Sequence, residues 1–249
     1  MEHKSYFYKL YVKRLILRII VLLIMLGIFI ISPNSYKIVK GFHFFKNLSL
    51  LHIIWLMWMF DMITQLLKVP KYWPIGSQKY MEYAYKKPLL IVDKENPKRI
   101  IKEMTKDSIS VAISWILLVI IIGILYLTKI IPYQIVIIIS TIFYVCDVIC
   151  IIGWCPFRTF YMHNKCCTTC RIFNWDHAMM FSPLIFIPGI FTYSLFFTSI
   201  IVVIIWEISC YKHPERFIEK TNNSLKCLNC KDKLCGKRIK EESYNQSKI

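Results

Sequence analysis

Residues 178–208 read AMMFSPLIFIPGIFTYSLFFTSIIVVIIWEI, 31 positions in which Glu207 is the one charged side chain. The run is too long for one upright membrane span of about 20 residues and too short for two. Pro183 and then the pair Pro188-Gly189 interrupt it, and both are breakers of regular helix. Two readings follow. Either a tilted, kinked span begins near Phe186, or the segment enters, turns at Pro188-Gly189 and leaves on the side it came from.

The rest of the chain chooses between them. Residues 15–32 form an apolar run with Arg18 near its start, behind a basic segment, 1–14, that carries Lys4, Lys9, Lys13 and Arg14. The run exceeds a usual signal h-region, and Ile31-Ser32-Pro33-Asn34 is a poor cleavage site, so it reads as a retained first span starting inside. Residues 48–67, LSLLHIIWLMWMFDMITQLL, make a second span with Asp61 in its middle; a carboxylate there must face other helices or an aqueous cavity. It is read either as a proton or ligand site or as a packing residue. Residues 107–128, capped by Asp107-Ser108, and 132–153 follow as an antiparallel hairpin, completing the membrane unit 107–153 that follows the pair at 15–67. If 178–208 returns to its starting side, 28 of the 32 Lys and Arg lie with the N-terminus, leaving Lys37, Lys40, Lys46 and Lys129 opposite; a fifth span would make the split 18 to 14. The positive-inside rule favours the first arrangement. The fold expected is therefore an all-α integral membrane protein of about four full transmembrane helices plus a Pro/Gly-interrupted hairpin, with a fifth span as the alternative. It is expected in the cell membrane, multi-pass, with its N-terminus, a basic loop at 68–106, a Cys-rich loop at 154–177 and a Cys-rich tail at 209–249 in the cytoplasm.

Composition agrees. Of 249 residues, 56% are hydrophobic, mean hydropathy is +0.48, and the charges collect in blocks, which excludes a soluble or a disordered chain. The net charge of +17 would point to nucleic acid in a soluble protein. Between spans it points to loops beside an anionic leaflet, and no nucleic-acid partner is expected. The piece 80–87, YMEYAYKK, suits a short amphipathic helix on the lipid surface.

Ten cysteines in 249 residues are too sparse for a secreted disulfide scaffold. Their grouping carries the functional reading. Cys155, Cys166, Cys167 and Cys170 lie in the loop, and Cys227, Cys230 and Cys235 in the tail. Cys167-x2-Cys170 and Cys227-x2-Cys230 are two knuckles whose thiolates can approach one metal from tight turns. These seven cysteines are the expected metal ligands, and a same-side hairpin would bring both groups to one face. Zinc and an iron–sulfur cluster remain open; the adjacent Cys166-Cys167 favours a cluster or a redox-active thiol. Disulfide chemistry of the kind found in quinone-coupled thiol oxidases is a third option. Cys146 and Cys150 share a helical face and read as small apolar packing residues. No histidine is a first-choice ligand: Asp176 can cap the following segment, Trp175 can sit at an interface, and His213-Pro214 reads as a helix start.

Gly-rich phosphate cradles, nucleophile elbows and H-E-x-x-H are missing. Spans with cytoplasmic cysteine groups, and the local pair Cys155-Pro156, loosely resemble membrane-anchored polyferredoxins of the quinol-dehydrogenase type, without that family's repeated cluster motifs. Two function classes remain. One is membrane electron transfer through a Cys-held centre, to a quinone near Asp61 or Asp147 or to a redox partner protein. The other is a non-enzymatic scaffold or small-solute channel with a structural zinc site.

Overall fold

Apolar runs bounded by Pro, Gly and Asn fold as helices in the computed structural model, which describes residues 6–42, 44–46, 48–66, 75–88, 96–230 and 234. In chain order these are α1 (Tyr6–Ile31), α2 (Leu50–Leu66), α3 (Ile75–Gln78), α4 (Pro97–Leu127), α5 (Tyr133–Ile152), α6 (Asp176–Phe181) and α7 (Ile190–Lys212), with short 3-10 turns between them. Four of them, α1, α4, α5 and α7, are long and apolar enough to cross a membrane. At 17 residues, α2 rises about 26 Å and is shorter than a typical span. No strand forms among the described residues; one isolated bridge joins Gly41 to Gly189.

Three boundaries differ from the sequence reading. First, α4 begins at Pro97, not at Asp107. Asn96 is its cap, accepting a hydrogen bond from the Lys98 amide at 3.0 Å, and Pro at the first helical position needs no hydrogen-bond partner. Ser108 is mid-helix, bonding back to Met104 O at 2.8 Å. Second, residues 80–87 are not a lipid-surface helix. A single 3-10 turn covers Glu82–Ala84, and Tyr80 is buried against Trp206 and Phe217, with ring centroids 5.0 and 4.9 Å away. Third, α7 on its own has the length of a full span.

The geometry of 176–212 follows from its two ends. Beyond α6 and a 3-10 turn over Ser182–Phe186, the chain reverses at Pro188-Gly189. There Gly41 N donates to Pro188 O (2.9 Å) and Ile190 N donates to Gly41 O (3.1 Å), clasping the reversal to the segment that joins α1 to α2. A Cβ on Gly189 would meet Val39 O at 2.2 Å, so only glycine permits this approach. At the other end, the Trp206 indole donates to Arg171 O at 2.8 Å, and Glu207 takes Arg171 at 2.6 Å and the Trp175 indole at 2.8 Å. Residues 190–207 rise about 27 Å. The chain thus leaves the level of residues 171–175, reaches the clasp, and comes back alongside itself.

Trp58 of α2 sits at the centre of the core, wholly buried among Tyr144 of α5, Phe181 of α6 and Phe191 of α7. On the outside of α4, Ile113, Ile116, Leu117, Ile120, Ile121 and Ile124 form a stripe at helical spacing, each 46–56% exposed. An outward-facing apolar stripe of this kind belongs against lipid or another chain.

Candidate functional site

Gly153 ends α5, and Trp154-Cys155-Pro156 leads into one wide helical turn over Phe157–Tyr161. That turn aims the Arg158 amide at the Cys155 sulfur, 3.4 Å away. The chain then comes back so that Cys167, opening a 3-10 turn with Thr168 and Thr169, returns to the end of α5, where its sulfur lies 3.0 Å from Cys150 O. Three thiols meet as a result. Cys155 accepts hydrogen bonds from the Cys150 and Cys167 thiols, and with the Arg158 and Phe157 amides these hold it well below the ordinary thiol range. Its partner Cys167 is pushed well above that range, first by donating to Cys155 and then by burial. Cys170 lies beside them, 4% exposed, and burial pushes it up to about 11. A cysteine in such a donor-rich setting is a nucleophile at neutral pH, whereas its neighbours are thiols.

The expected ligands divide accordingly. Cys155 and Cys167 are brought together, with Cys170 on the same wall. Cys166 turns aside, 3.2 Å from the Thr168 hydroxyl. The tail pair approaches the same face without joining the cluster: Lys79 Nζ stands between, donating to Thr168 Oγ1 at 3.3 Å and to Cys230 Sγ at 3.9 Å. Cys227 opens a neighbouring 3-10 turn, half-buried, and Cys235 lies outside the described residues. Among the described residues, no group of three or more His, Cys, Asp or Glu is arranged to hold a metal ion. Among the described residues the two knuckles are thus not drawn into one group. The residue missed by spacing is Cys150. Inside an apolar helix it is indistinguishable from packing, and only its place five residues before Cys155, across a glycine helix end, offered a signal.

The thiols line an apolar cleft of about 400 Å³ walled by Trp115, Phe143, Trp154, Phe157, Phe173, Met179 and Met180. Asp147 and Asp176 close one side of the cleft and also line a second, narrow polar cavity between α1, α2, α5 and α6, about 20 Å³ and so just large enough for a water. In that cavity Arg18 of α1 pairs with Asp147 of α5 at 2.6 Å, donates to Tyr144 O at 2.6 Å and lies 4.0 Å above the Tyr144 ring. Asp61 faces the same cavity and receives the Tyr144 hydroxyl at 3.4 Å. Nearby residues have structural roles: Asn174 accepts from Ser77 at 2.6 Å, His213 leads a 3-10 turn, and Cys210 is buried within the Tyr80–Trp206–Phe217 cluster.

Comparison of the chain with known protein families, with curated proteins and with solved structures finds no match to any of them.

Proposed function

We propose that this is a multi-pass membrane protein whose working centre is the Cys150–Cys155–Cys167 thiol cluster, and that it carries electrons between thiols and a lipid-soluble quinone held in the adjoining cleft. The observation that carries the reading is Cys155, flanked by two other cysteines in the wall of a cleft lined with aromatic and Met side chains. Flat aromatic rings stack on such walls. The reaction balances: the Cys155 thiolate and the Cys167 thiol form a disulfide and give up two electrons and the thiol proton; the quinone takes both electrons, that proton and a second one from water to become a quinol. Cys167 is the exchange partner because it sits on a short turn, whereas Cys150 is fixed in α5.

For the membrane arrangement, α2 and the stretch 176–189 add two crossings to the four long helices. Six crossings return every basic segment to one side, and the distribution of 28 Lys and Arg against four supports that side being cytoplasmic. Reporter fusions after Ile249 and within 32–49 test it; equal signals at both positions overturn it.

A metal on the same thiols is the second reading, supported by Cys170 on the wall beside the three that meet. Zinc or an iron–sulfur cluster there would hold the loop instead of turning over. One experiment separates the two. The full-length protein is purified anaerobically in detergent, assayed for zinc, iron and sulfide, and alkylated at pH 6. Under the thiol reading, Cys155 labels ahead of Cys167 at this pH, because the Cys167 thiol keeps its proton; the protein is metal-free; and a short-chain quinone converts Cys155 and Cys167 to a disulfide found by peptide mapping. Stoichiometric metal with Cys155 protected from the alkylator establishes the metal reading instead.

A further inference from the structure

The polar cavity next to the thiols contains chemistry that the redox reading does not use. Its ionisable lining is Arg14 and Arg18 from α1, Asp61 from α2, Asp147 from α5, and Asp176 with His177 from α6. Two guanidiniums stand against three carboxylates, so the set is neutral only when the imidazole is charged. Arg18 is committed to Asp147 at 2.6 Å, and Glu207 of the neighbouring α7 is turned to Arg171 and Trp175. His177 is 2% exposed. Its Nδ1 lies 3.1 Å from an Asp176 oxygen, an ion-pair distance. Neither ring nitrogen has a hydrogen-bond partner, and neither does Oε1 of Gln65, which is 4% exposed and lines the same cavity.

We propose that His177 is a proton-binding site: the ring takes a proton at Nε2 from water in the polar cavity, and the Asp176 carboxylate beside Nδ1 and Asp61 across the cavity balance the charge gained. Ionisable groups enclosed among apolar helices are costly to keep and are associated with proton pathways. Here the cost is shared, because Arg18 neutralises one carboxylate and the His177 proton neutralises another. Asp147 and Asp176 line both cavities, so the bound proton stands one side chain from the thiol cleft. The proposal does not rest on the redox reading and holds equally for a metal-loaded or an idle thiol cluster.

The test is ¹⁵N NMR of histidine-labelled full-length protein in detergent between pH 5 and 9, with the Cys155→Ser variant run alongside so that thiol chemistry plays no part. His177→Gln identifies the signal by its loss. In the parent, the His177 nitrogens are expected to pass from the neutral tautomer to imidazolium within this range. Asp176→Asn and Asp61→Asn, each removing a facing negative charge, should move the midpoint to lower pH by about half a unit or more. A His177 signal that stays neutral throughout overturns the proposal, as does a midpoint that neither variant moves. If His177→Gln does not fold, the Asp61→Asn comparison, on a different helix, still decides it through the one signal that moves.

Discussion

Arg18 meets one carboxylate, one carbonyl and one aromatic face inside the apolar stretch of α1. In sequence it looks like the tail of the basic segment in front of the first span, and nothing local announces that its partner lies 129 positions away. The carboxylates were easier to read: a charge in mid-span must be neutralised or hydrated, which is why Asp61 was noticed and does face a polar cavity. Removing one member of a buried pair strands the other, so Arg18→Leu should cost about 3–5 kcal/mol. The double variant Arg18→Leu/Asp147→Leu should recover most of that loss, since neither charge is then left without its partner. Thermal unfolding in detergent, read by a thiol-reactive dye, distinguishes the two; a double variant as unstable as the single would show that the pair does more than cancel charge.

At the level of elements, long apolar runs are legible because composition alone forces them into helices where water is scarce. Their ends are not. Residues 97–106 are half charged, which hides a helix continuous with the apolar run behind it, and the Asn96-Pro97 cap looks like a turn. The interrupted run 178–208 shows the reverse case. Pro183 and Pro188-Gly189 mark where regular helix stops, yet only the clasp on Gly41 shows how far the reversal reaches. Gly189→Ala places a methyl group against Val39 O, and it should lower stability by about 2 kcal/mol or more, seen as a lower melting temperature in detergent. A melting curve like the parent's would mean that the clasp is loose enough to part at little cost.

Across the whole molecule, the two cysteine knuckles were visible as motifs, but whether they meet depends on residues with no such signature. The tail is stitched to the 79–86 segment by Asn222, whose amide donates to Lys79 O at 3.0 Å and to Arg216 O at 2.8 Å, by Asn223 N on Lys86 O at 2.8 Å, and by the Ser224 hydroxyl on Ala84 O. These bonds hold Cys230 near Thr168 and also put the Lys79 ammonium between them. Asn222→Ala should release the tail, and limited proteolysis should then cut between residues 213 and 230 several times faster than in the parent, while α4, α5 and α7 stay intact. Cutting at an unchanged rate would locate the tail's anchorage in the Tyr80–Trp206–Phe217 cluster instead.

The two fastenings of α7 have a mechanical meaning. One end is bound through Trp206 and Glu207 to the strip of chain that follows Cys170; the other is stapled to the backbone of Gly41 on the opposite rim. A stiff rod secured at both ends works as a strut: it sets the distance between the loop that carries the thiols and the far rim, and a displacement imposed on one end would be felt at the other with little give along the way.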